Sequence, residues 1–175
     1  QDYFPAVTAA AAAGFVGILS LANMAGRFVW SATSDHIGRK PIYLLYLGVG
    51  LVLYLLLALI GNSSLILFIL AAVFILSFYG GGFSTMPAYL RDMFGYYQVG
   101  AIHGRILTAW AAAGVAGPLI VNTVVEAQAA AGKEGPELYS VSMFIMVGLL
   151  AIGLIANILM RPVAEKHTIE YDIKH

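Results

Sequence analysis

An all-α bundle that crosses a membrane five times is the reading this 175-residue chain supports, and three observations lead there. Hydrophobic residues fill 61% of positions and charged residues only 10%, with a mean hydropathy of +0.86, whereas soluble domains hold roughly 45–50% and about 25%. The charges are gathered into short clusters, leaving uncharged intervals as long as the roughly 20 residues a helix needs to cross a bilayer. Where one interval is too long for a single crossing, a cluster of turn-forming residues divides it.

The five spans follow in order. The Ala-rich run between Asp2 and Arg27 opens a first span over about residues 6–30. No charge occurs from Pro41 to Leu90, which as one helix would be roughly 75 Å long, so Gly61, Asn62, Ser63 and Ser64 split it into spans over about 41–60 and 65–89. A fourth span covers about 106–125, with Glu126 as a boundary residue at its end. After a polar loop holding Gly132, Lys133, Glu134, Gly135, Pro136 and Glu137, a fifth covers about 139–160. Residues 161–175 read as a hydrated, mixed-charge tail. Gln1 to Pro5 resemble an extramembrane loop of a longer polypeptide rather than the basic n-region of a signal peptide.

Nine Lys and Arg balance nine Asp and Glu, so nucleic acid is not an expected partner. The chain has no Cys, and His36, His103, His167 and His175 lack ligand spacing and read as solvated loop or tail residues; neither a metal nor a cofactor is expected. Gly82, Phe83, Ser84, Thr85 is similar to the surroundings of a membrane serine nucleophile, yet the following Gly is absent and the nearest His, His103, lies a helix end away, so no enzyme activity is expected. If the loop after the first span is cytoplasmic, that side holds Arg27, Arg39, Lys40, Arg91, Arg105, Arg161, Lys166 and Lys174 against Lys133 alone. The positive-inside rule then sets the N-terminus outside and the tail in the cytoplasm of a plasma or bacterial inner membrane.

Between the first two spans stands Ser31, Ala32, Thr33, Ser34, Asp35, His36, Ile37, Gly38, Arg39, Lys40, Pro41, read as a loop. Asp35 can cap a neighbouring helix, Gly38 permits a reversal, and Arg39 and Lys40 hold the loop at the cytoplasmic face. The plain reading is a positive-inside loop. The pattern small-x-x-x-Asp-x-x-Gly-Arg-Lys also resembles the signature loop of the major facilitator superfamily, in which it lies between helices two and three and again between helices eight and nine. Ser31 in place of the opening Gly is similar to the second copy. Gly114, Val115, Ala116, Gly117, Pro118 resembles the superfamily's Gly-x-x-Gly-Pro stretch, where small residues let helices approach closely. The resemblance implies helices eight to twelve of a transporter whose N-terminal half is a partner of this chain.

Arg27 lies about 12 Å along the helix from Asp35, where a guanidinium either snorkels to headgroups or faces a cavity. Asn23, one turn away, shares its face and completes a site of carboxylate size, because a guanidinium fork matches a carboxylate. The stretch from Asn23 through Arg27 and Trp30 to Arg39 resembles helix eight of the oxalate:formate antiporter and monocarboxylate transporter group, and that resemblance implies that Arg27 binds a substrate carboxylate. The segment from Phe94 through His103, Gly104 and Arg105 to Trp110 is similar to bacterial members. Two departures stand out: animal members have Asp where this chain has Asn23, and oxalate antiporters have Lys where it has Trp110. Tyr79 and Phe83, around a glycine run in the third span, read as ordinary packing aromatics or as cavity lining, with Pro87 allowing the helix to bend. Trp110 carries the same two readings.

The sequence-based expectation is therefore a secondary transporter of small monocarboxylates such as lactate, pyruvate or formate, working by proton symport or anion exchange within the lipid bilayer. A transporter of a drug or sugar and a non-transporting membrane scaffold are the alternatives.

Overall fold

The computed structural model describes residues 3–163. It contains five α-helices: α1 (Ala9–Ile37), α2 (Arg39–Ile60), α3 (Leu65–Phe94), α4 (Val99–Ala130) and α5 (Glu137–Leu159). All five are long and apolar enough to cross a membrane. The helices run beyond the spans read from charge. α1 continues through Ser31–His36, α4 begins at Val99 rather than after Arg105, and Glu126 lies inside α4 rather than at its end. Most residues of the two segments read as loops are therefore helical, with Gly38 and residues 95–98 left between helices. Polar side chains mark where a helix leaves the hydrocarbon, not where its backbone hydrogen bonds stop. The expected tail lies mostly outside the described residues.

Helix ends are set by local chemistry. The Thr8 side chain accepts a hydrogen bond from the Ala11 amide at 3.2 Å, and Ser64 accepts one from Leu67 at 3.4 Å, each satisfying an orphan N–H of a first turn. Gly38 is the single residue between α1 and α2, with φ +90° and ψ 156°, a conformation costly for any residue with a Cβ. Asp35 does not cap α2, which has no side-chain cap; it pairs instead with Arg39 at 2.5 Å.

α1 packs on α3 and α2 on α5, with α4 lying along α3 and α5. The α1–α3 seam is built of glycine. A Cβ on Gly26 would overlap the Ser77 carbonyl, and one on Gly80 would overlap the Asn23 carbonyl. One on Gly81 would stand 2.6 Å from both Trp30 Cβ and the Tyr46 hydroxyl. Ile42, Tyr46 and Phe78 form the core there, flanked by Trp30, Tyr43, Leu45 and Leu53. By contrast α4 contributes no buried residue, and nothing lies within 4 Å of a Cβ built on Gly114 or Gly117. These two glycines and Pro118, expected to pack against another helix, meet no such neighbour among the described residues.

The basic end of the bundle is clamped. The Arg39 guanidinium donates to the Ser34 carbonyl at 2.6 Å, pairs with Asp35, and lies 3.9 Å from Asp92 of α3. Lys40 Nζ donates to the carbonyls of Ile158 and Met160 at 3.0 and 2.6 Å, satisfying groups that the end of α5 leaves open. Tyr89 donates to Asn157 Oδ1 at 2.7 Å, tying α3 to α5 nearby. The opposite end is an aromatic cluster in which Phe68 meets Tyr3, Phe4 and Phe15. Burial pushes the Tyr3 phenol above its usual range.

Candidate functional site

Three helices present one face each to a common cavity of about 380 Å³, and each face repeats with helical spacing. From α2 come Tyr43, Tyr46, Leu47, Gly50 and Tyr54; from α3 come Ile75, Phe78, Tyr79, Gly82, Phe83 and Met86. From α4 come His103, Ile106, Leu107 and Trp110, at positions i, i+3, i+4 and i+7. Leu150 of α5 closes the remaining wall. The cavity exists because α4 stands off from the bundle instead of filling the groove beside α3.

Arg27, Tyr79, Phe83 and Trp110 form one connected chain at the rim. The Trp110 indole N–H donates to the Tyr79 hydroxyl at 3.0 Å. The Phe83 and Trp110 ring centroids are 6.0 Å apart, and the Arg27 guanidinium carbon lies 5.6 Å from the Phe83 centroid. That last distance is within cation–π range. Arg27 is exposed in this chain, and among the described residues no carboxylate pairs with it. Its backbone carbonyl accepts a hydrogen bond from Ser84 at 3.2 Å, and Ser84 also shares one of 2.8 Å with Ser31. The turn that carries the guanidinium is thereby fixed to α3.

Asn23 is placed differently from the expectation that it joins Arg27 in the site. Its carboxamide oxygen is buried against the Gly80 backbone, without a hydrogen-bond partner among the described residues, and Asn23 does not line the cavity. The close α1–α3 approach that glycine allows draws the amide into the seam. Pro87 lies within a continuous α3. Lacking an N–H, it leaves the Phe83 carbonyl without its usual helical donor.

His103 was missed by sequence reasoning, which set it in a solvated loop. It is helical, it lines the cavity, and its Nδ1 is buried without a hydrogen-bond partner among the described residues. The signal was there in the spacing of His103, Ile106, Leu107 and Trp110. Asp35, Gly38, Arg39 and Lys40 all lie in the clamped basic end, away from the cavity. No group of acidic residues and His suited to a metal occurs among the described residues.

A family model described as Major Facilitator Superfamily matches residues 5–171. Comparisons with curated proteins and with solved structures yield no match.

Proposed function

Because the chain belongs to the major facilitator superfamily, a family of membrane transporters, we propose that it forms the second half of a carrier for small organic monocarboxylates of the lactate, pyruvate or formate type. The observation that carries this reading is Arg27. It is a cation set on an aromatic ring within an apolar helix, with no acidic partner among the described residues. A guanidinium held so offers a carboxylate two parallel donors, and the lack of a neutralising acid leaves its charge for the ligand. Phe83, Tyr79 and Trp110 would then line the path of the substrate.

In this reading the basic end with Arg39 and Lys40 faces the cytoplasm and the aromatic end faces outward. Transport proceeds by alternating access against an N-terminal half that supplies the rest of the pathway. Coupling is to protons or to a counter-anion. Asn23, a neutral amide drawn into the α1–α3 seam, does not serve as the proton carrier. Uptake of labelled lactate by the full-length protein in proteoliposomes tests the proposal: Arg27→Ala should raise its apparent KM steeply and Arg27→Lys should raise it less. Native rates in both variants would remove Arg27 from the site.

A further inference from the structure

We infer that the preferred substrate is a ring-bearing monocarboxylate whose carboxylate meets Arg27 and whose ring enters the aromatic cavity. The inference rests on the reading that Arg27 receives a monocarboxylate and extends the preferred substrate from three-carbon acids to larger ones. The first support is size. At roughly 30 Å³ per water, a cavity of about 380 Å³ has room for about a dozen, far beyond a three-carbon acid, and it falls in the range of pockets that enclose drug-sized ligands. The second is lining. Tyr54, Phe78, Tyr79, Phe83 and Trp110 give the walls ring faces and edges, which favour offset or edge-on contact with another ring.

The third support is continuity of charge and cavity. Phe83 touches both, with the guanidinium at 5.6 Å from its centroid and Trp110 at 6.0 Å. A molecule with an anionic end and an apolar end can therefore straddle that rim, leaving its charge outside the apolar walls.

The test compares apparent KM values for labelled lactate and phenylacetate in proteoliposomes of the full-length protein, native and with Trp110→Leu. The expected result is a KM for phenylacetate about tenfold or more below that for lactate, narrowed to about twofold by Trp110→Leu. Lactate uptake with a phenylacetate KM no lower would overturn the ring pocket and leave the monocarboxylate reading standing. Failure to transport either acid would overturn both.

Discussion

The seam between α1 and α3 and the face of α4 are both rich in small residues, yet one is closed and the other open. At the seam Gly26 and Gly80 bring backbones so close that a methyl group would overlap a carbonyl of the facing helix. On α4, Gly114 and Gly117 have open space around them and no residue of the helix is buried. The cations divide in the same way. Arg39 and Lys40, on the closed side, are paired with carboxylates and helix-end carbonyls, while the Arg27 guanidinium, exposed, lies on a ring and pairs with no carboxylate among the described residues. A small residue or a cation in a membrane helix therefore has no fixed meaning. What it faces decides whether its loss costs stability or activity.

That division is open to attack by substitution. The largest effect should come from Arg27→Ala, which removes a charged fork from its ligand. Losses of this kind cost about 2–5 kcal/mol, so the apparent KM should rise by about thirtyfold to several thousandfold while the melting temperature in detergent stays near native. Next is Gly80→Ala, where the neighbour is backbone and cannot yield. Overpacking of this kind costs about 1–3 kcal/mol or more, and should appear as a large fall in Tm. Lys40→Met should be milder, since it leaves the Ile158 and Met160 carbonyls without their donor, at about 1–2 kcal/mol. Its Tm should fall with little change in substrate affinity. Tyr89→Phe removes the bond to Asn157 and should lower stability by about 1 kcal/mol. Smallest of all is Gly114→Ala, for which no neighbour stands in the way within the described residues. A Tm at the native value confirms the open face, and a rate defect at that unchanged Tm would assign the glycine to close approach during transport.

The number of helices was legible because burying a charge in hydrocarbon is expensive, so uncharged intervals measure spans directly. Helix ends were not, because Ser31–His36 and Val99–Arg105 are polar enough to read as loops yet keep their backbone bonded as helix. The signature loop was readable as a motif, and Gly38 did prove to be the reversal. Ser34 lies within the motif, but the partners Asp92 and Met160 come from distant segments that no local pattern connects. Likewise the aromatic and cationic residues of α1, α3 and α4 stood out singly, but which of them meet depends on how helices pack. Asn23 shows the cost of arguing from one helix alone. It shares a turn with Arg27, and glycines on a different helix draw its amide elsewhere.

The joint at Gly38 carries a mechanical consequence. With one residue between Ile37 and Arg39, only a couple of soft torsions separate two long rods. Neither rod can be tilted far without swinging the other. Lys40, just past the joint, grips the last turn of α5, so the same swing would be passed to a third rod. The three would move as a linkage, whereas α4, lightly held, is the element able to shift on its own.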